Sequence, residues 1–175
     1  MTRNLVHKSK ALSYALRHNP DKFGIVLDKY GWCDIETVLK AVNCTRQEVE
    51  SIIAQSEKKR FEIDGNRIRA TYGHSTENKI EFNPIEPPEV LYHGTSNESF
   101  SKIMSDGEIR PMRRQYVHLS SDQNTALIVG KRHASYPVII TVHAKDMFND
   151  GFKFFHSAND GTWMCESVPI RYISA

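Results

Sequence analysis

The chain has 175 residues, 39% of them hydrophobic and 25% charged, with a formal net charge of +2. That is an ordinary globular composition, long enough for one domain or two small ones. It excludes a low-complexity or fibrous chain, and no apolar run approaches the ~20 residues needed to span a bilayer.

The charge is unevenly spread. Residues 1–80 hold 14 Lys and Arg against 10 Asp and Glu, whereas residues 81–175 hold 9 against 11. A basic first half suits a polyanionic partner. The three cysteines, Cys33, Cys44 and Cys165, are scattered and follow no ligand spacing. Neither a disulfide framework nor a structural metal is expected. The start Met1-Thr2-Arg3-Asn4-Leu5 carries no secretory apolar region, so a cytoplasmic location with no membrane attachment is the expectation.

Leu5, Leu12, Ala15 and Leu16 fall at helical spacing, which predicts a helix over 5–18 with Lys8 and Lys10 turned outward. Pro20 disfavours helix at the residue before it, so the helix ends near Asn19. That ending places Arg17 beside His18. Tyr30-Gly31-Trp32 reads as a turn into a short extended piece. Asp34 is a candidate N-cap for a helix through Ile35, Val38, Leu39 and Val42. Thr45, with Glu48 three residues on, reads as a capping box for the next helix, which carries Val49, Ile52 and Ile53. Residues 60–63 and 66–70 alternate around Asp64-Gly65, a hairpin signal. Three helices followed by a hairpin is the order of a winged-helix unit.

Residues 76–89 are polar and bear Pro84, Pro87 and Pro88, which predicts a semi-extended linker between domains 1–75 and 90–175. The second half changes to strand patterning. Val90 to His93 is a strand that Gly94 ends, and Thr95 with Glu98 reads as a cap for a short helix through Ile103 and Met104. Tyr116 to Leu119 is the next strand. Ser121 or Asp122 caps a helix containing Ala126, Leu127 and Val129. Pro137 to Val142 is a strand, with two more expected at 152–155 and 162–165. Asn159-Asp160-Gly161 reads as a turn.

Several segments bear groups that suit an anion. Arg17-His18, Ile68-Arg69-Ala70 and Gly130-Lys131-Arg132 set guanidinium groups beside apolar positions, where a cation is costly unless an anion meets it. A planar guanidinium matches phosphate in bidentate fashion. Tyr92-His93-Gly94-Thr95 and Val117-His118-Leu119-Ser120 place two strand-borne histidines about 25 residues apart. A glycine after the first lets a ligand approach the backbone. These observations together point to phosphate chemistry, and an alternative set of unrelated surface ion pairs stays open on spacing alone.

In this order the motifs Leu16-Arg17-His18, Ile68-Arg69-Ala70 with Gly73-His74-Ser75, Tyr92-His93-Gly94-Thr95, Val117-His118-Leu119-Ser120 and Val129-Gly130-Lys131-Arg132 resemble the NAD-dependent RNA 2′-phosphotransferase family. The resemblance runs over residues 5–173. It implies an α+β chain, with an N-terminal winged-helix lobe and a C-terminal strand-rich lobe of ADP-ribosyltransferase type. The implied reaction removes an internal, splice-junction type 2′-phosphate from RNA. In its first step the phosphate attacks the nicotinamide ribose of NAD, giving an ADP-ribosylated 2′-phospho-RNA intermediate. In the second step the ribose 2″-hydroxyl attacks phosphorus. The products are 2′-hydroxyl RNA, ADP-ribose 1″,2″-cyclic phosphate and nicotinamide.

The resemblance further implies that Arg17, His18, Arg69 and Arg132 are catalytic. His93, Gly94 and Thr95, with His118 and Ser120, would bind NAD, which is a co-substrate; no metal is implied. The first lobe would present Arg17, His18 and Arg69 to the RNA phosphate, and the second would hold NAD and contribute Arg132. His74 and Ser75 would position the linker or the hairpin end. Glu166 lies near the place where protein-modifying ADP-ribosyltransferases carry a glutamate, and here it is read as a surface residue. His133, His143 and His156 receive no role. A monomer is the expectation. Two other readings remain at this point: an ADP-ribosyltransferase acting on nucleic-acid ends or small molecules, and a winged-helix regulator that senses NAD.

Overall fold

A computed structural model describes residues 2–56, 60–157 and 161–174. The chain divides into two units, Met1–Phe82 and Asn83–Ala175. Both mix helices with small antiparallel sheets.

The first unit opens with α1 (Arg3–Arg17), capped by the Thr2 hydroxyl, which accepts from the Leu5 amide. Its apolar stripe buries Leu12, Ala15 and Leu16 completely. Lys10 is exposed as expected, but Lys8 is not: it folds back onto the Glu48 carboxylate at 2.6 Å. The pairing follows from helix packing, because α1 lies against α3 (Arg46–Gln55). A positive-φ Gly31 turns the chain into β1 (Cys33–Asp34). The Asp34 carboxylate then caps α2 (Ile35–Ala41) through the Thr37 amide. The Thr45–Glu48 capping box closes in both directions.

The hairpin is β2 (Phe61–Asp64) and β3 (Arg67–Ala70), with β1 on the other side of β3. Asp64 pairs with Arg67, so the turn residues are Gly65 and Asn66, one position later than expected. Gly65 takes the positive φ the turn needs. Phe61, Ile68 and Ala70 face the core with Ile35, Val49 and Ile52. Each buried aliphatic or aromatic side chain of this kind is worth about 1.5–3 kcal/mol.

The segment expected as a linker is tied down at both ends. Ile80 is buried and the Glu81 amide bonds the Lys29 carbonyl, in the first unit. Ile85 and Glu89 bond Phe154 and Lys145, in the second.

The second unit begins with β4 (Leu91–Thr95) and α4 (Asn97–Asp106). It continues with β5 (Glu108–Ile109), β6 (Val117–Leu119), α5 (Gln123–Gly130) and β7 (Val138–Val142). The rest is α6 (Ala144–Asn149), β8 (Phe154–His156), β9 (Trp163–Cys165), β10 (Val168–Pro169) and β11 (Ile173–Ser174). One sheet runs β11-β7-β4, another β6-β9-β8, and β10 pairs with β5. A two-way backbone bridge between Tyr92 and Ser120 links the first two sheets. The core gathers Leu91, Ile140, Val142, Met147 and Phe154.

Two expectations change here. Gly94 lies inside β4 rather than ending it, and the cap of α4 is Ser96, not Thr95. Helix α5 packs so closely on β4 that a Cβ at Gly94 would sit 2.0 Å from the Ala126 carbonyl oxygen. Glycine serves close approach at this position, not a turn. Asp122 is the cap of α5. Of the expected turn at 159–161, Asn159 and Asp160 lie outside the described residues. All three cysteines are free and buried. No helix among the described residues is long and apolar enough to cross a membrane.

Candidate functional site

In the first unit, α1 delivers Arg17 as its last residue and His18 as its C-cap. Arg17 is 7% exposed. Its Nη2 donates to the Arg60 carbonyl at 3.3 Å, and its guanidinium lies 4.6 Å from the Tyr72 ring and 5.7 Å from that of Phe61. Stacking and a backbone acceptor are what make burial of a cation tolerable. The C-terminal end of a helix carries partial negative charge, so an anion held there depends on these side chains and not on the backbone dipole.

Ser75 organises the pair. Its hydroxyl lies 2.7 Å from Nδ1 of His18, and its amide donates to the Arg17 carbonyl at 2.9 Å. The sequence motif contains Ser75, but its distance along the chain from His18 conceals this contact.

Arg69 stands on the outer side of the hairpin, opposite Glu62 in the strand register. Nε and Nη2 both donate to Oε2 of Glu62, at 2.9 and 2.8 Å. Nη1 reaches the Tyr30 carbonyl at 3.4 Å, and the guanidinium stacks 4.5 Å from the Trp32 ring. Arg67 flanks the same indole at 5.1 Å. A Cβ at Gly31 would lie 3.5 Å from Nε2 of His74, so the turn that contacts Arg69 abuts the turn that contacts His18. The structure thus places Arg17, His18 and Arg69 against two touching turns, with Ser75 of the sequence motif on His18 and with Glu62, Trp32 and Tyr72 as supports that sequence alone did not single out.

In the second unit, β4 and β6 bring the two histidine motifs together. Nδ1 of His93 donates to the His118 carbonyl at 3.0 Å, because a carbonyl can only accept. In the neutral ring this leaves Nε2 as an acceptor. Burial pushes the His93 pKa down, His133 adds to that, and the His118 contact opposes it. The ring is therefore neutral near pH 7. Thr95 is buried on the same strand, and Ser120 is held by the Tyr92 bridge. Arg132 is exposed in the turn after α5, its amide bonded to the Val129 carbonyl. Close packing of Gly130 on Pro137 pins the base of that turn. Glu166 is exposed beside Asp150, Phe152 and Lys153, which line a hollow of about 340 Å³. Among the described residues no group of three His, Cys, Asp or Glu is placed to hold a metal ion.

Guanidinium groups and a hydroxyl-oriented histidine in the first unit are chemically able to meet an anion, and the neutral imidazole of the second can accept a hydrogen bond. The profile described as "RNA 2'-phosphotransferase, Tpt1 / KptA family" matches residues 3–167. A protein of Agrobacterium fabrum named "Probable RNA 2'-phosphotransferase" is 43% identical over 173 residues, covering 95% of this chain and 91% of that one. A protein of Lacticaseibacillus paracasei with the same name is 41% identical over 179 residues, covering 99% and 94%. A third, from Pseudomonas syringae pv. tomato, is 43% identical over 174 residues, covering 95% and 91%. The chain belongs to the RNA 2′-phosphotransferase family.

Proposed function

We propose that this chain removes an internal, splice-junction type 2′-phosphate from RNA by transferring it to NAD. The products would be 2′-hydroxyl RNA, ADP-ribose 1″,2″-cyclic phosphate and nicotinamide. The observation that carries this reading is the Arg17–His18–Ser75 constellation, in a chain of this family. The first unit is read as a winged-helix lobe and the second as an ADP-ribosyltransferase-type lobe, in a cytoplasmic monomer.

The residues of the second unit suit NAD as co-substrate. Nε2 of His93 can accept from a ribose hydroxyl, while Thr95 on the same strand and Ser120, bridged to Tyr92, carry hydroxyls. When bound, NAD supplies the ribose that receives the phosphate and nicotinamide as the leaving group. The protein's part is positioning and charge stabilisation. A phosphate is already anionic at neutral pH, so the arginines need to orient it and not activate it. In the later phosphoryl transfer, Arg17, Arg69 and Arg132 would neutralise charge growing on phosphorus. His18, oriented by Ser75, would hold a phosphate oxygen.

The test is to incubate purified protein with NAD and an oligonucleotide bearing one internal 2′-phosphate. Loss of that phosphate with release of the cyclic product supports the assignment. ADP-ribose left on the RNA as the end product would instead indicate simple ADP-ribosyl transfer. NAD binding without nicotinamide release would indicate a sensor.

A further inference from the structure

We propose that the outward face of α1 is a docking groove for the RNA backbone phosphates that flank the reacting nucleotide. The inference rests on the proposed function and extends it to a surface outside the phosphate-handling residues, apart from His18 at its end.

A cavity of about 450 Å³ runs along this face, lined by Val6, Ser9, Lys10, Ser13, Tyr14 and His18 of α1 and its cap, and by Arg60. Residues 9, 10, 13 and 14 recur at the spacing of one helix face, and His18 continues the row one turn further. From Ser9 to His18 the row is about 14 Å long, enough to meet more than one phosphate. The opposite stripe, Leu12, Ala15 and Leu16, is wholly buried.

The charge of the lining has one sign among the described residues, and no acidic residue is among them. Lys8 is neutralised by Glu48 on another side of the helix, whereas Lys10 is exposed and makes no ion pair among the described residues. The Tyr14 hydroxyl accepts from Nδ2 of Asn19 at 3.0 Å, which leaves its own proton to donate. Arg60 is anchored through its carbonyl, which accepts from Arg17 at 3.3 Å and from the Thr71 amide at 3.0 Å. Cations and hydroxyl donors in a row suit contacts to a phosphate backbone, which position a strand and do not read its sequence. The row ends on His18, so a strand lying in it would lead to the candidate reacting phosphate.

The experiment compares two substrates: an oligonucleotide with one internal 2′-phosphate, and a nucleoside 2′-phosphate with no neighbouring phosphodiester. Lys10→Ala is expected to raise KM for the oligonucleotide about fivefold, with a much smaller change for the nucleotide. The slope of log KM against log salt for the oligonucleotide should become shallower by about 0.7. Lys40→Ala, an exposed lysine of α2 outside the groove, controls for loss of any one charge. Lys10→Gln and a thermal melt control for folding. Equal changes on both substrates, or an unaltered salt slope, overturn the groove. If the wild-type protein releases no phosphate from either substrate, the proposed function fails instead. In that case fluorescence anisotropy with the same labelled RNA, without NAD, still decides the groove by whether Lys10→Ala weakens binding and flattens its salt dependence.

Discussion

Ser75 and His18 lie 57 positions apart in the chain, and the hydroxyl of one sits 2.7 Å from Nδ1 of the other. The contact sets the direction of the imidazole, since the Ser75 amide also fastens the Arg17 carbonyl. Ser75→Ala is expected to lower kcat about fivefold, the equivalent of one neutral hydrogen bond of ~1 kcal/mol. The melting temperature should stay within a few degrees. Steady-state kinetics beside a melt on the same preparation checks both halves.

Arg17→Ala, Arg69→Ala and Arg132→Ala are each expected to reduce kcat at least about a hundredfold, within the range seen for loss of one charge-stabilising donor. Arg17→Ala should also cost stability, because the cation packs on Tyr72 and Phe61, whereas Arg132 is exposed and its loss should not. Full activity in any two would contradict the proposed roles.

The Glu62 carboxylate holds two nitrogens of Arg69 and so decides which edge of that guanidinium faces outward. Glu62→Ala is expected to lower kcat about tenfold with little effect on KM. Glu62→Gln keeps an oxygen acceptor and should recover most of the loss. Arg69→Lys should stay near the alanine level, because an ammonium cannot reproduce the planar fork.

His93 is neutral in the folded chain because burial and His133 outweigh the favourable His118 carbonyl. The unfolded chain takes up this proton near pH 6.5, and the folded chain does so only at lower pH. The unfolded state therefore binds more protons in that window, and stability falls as pH drops from about 6.5 toward the folded value. Above that window the contribution is constant. Urea unfolding at about pH 7.5 and about pH 5.5 should show a smaller acid loss in His93→Gln than in wild type.

Gly94→Ala should be the most damaging of the glycine substitutions, since its Cβ would meet the Ala126 carbonyl at 2.0 Å and backbone cannot step aside. A loss of about 3 kcal/mol or more is expected, near 10 °C in melting temperature for a chain of this size. Gly130→Ala meets the Pro137 Cβ at 2.7 Å, a smaller overlap than that at Gly94, and should cost less.

What the sequence revealed was local. The Asp34 and Thr45 caps depend on residues three positions away and are where the pattern put them, and the structure chooses Asp122 over Ser121 as the third. The apolar stripe of α1 depends only on helical periodicity. What escaped was set by distant partners. Lys8 looked solvated until Glu48 came against it from α3. Gly94 read as a strand end because nothing nearby in sequence announces the packing of α5. Helix α6 was missed because its six residues carry too few turns for a periodic signal. The arginines and histidines were legible through their motifs. Glu62 and Trp32, which orient Arg69, and the contact of the motif's Ser75 with His18 became visible only when the strand register and the abutting turns were known.

Cys33, Cys44 and Cys165 are buried, and burial pushes all three thiols up, those of Cys33 and Cys165 to about 12. Thiolate is scarce at neutral pH and alkylating reagents reach it poorly. The native chain is thus nearly silent toward maleimides. Val26→Cys, at a side chain 85% exposed, would install one reactive handle for a fluorophore without first stripping out the native cysteines.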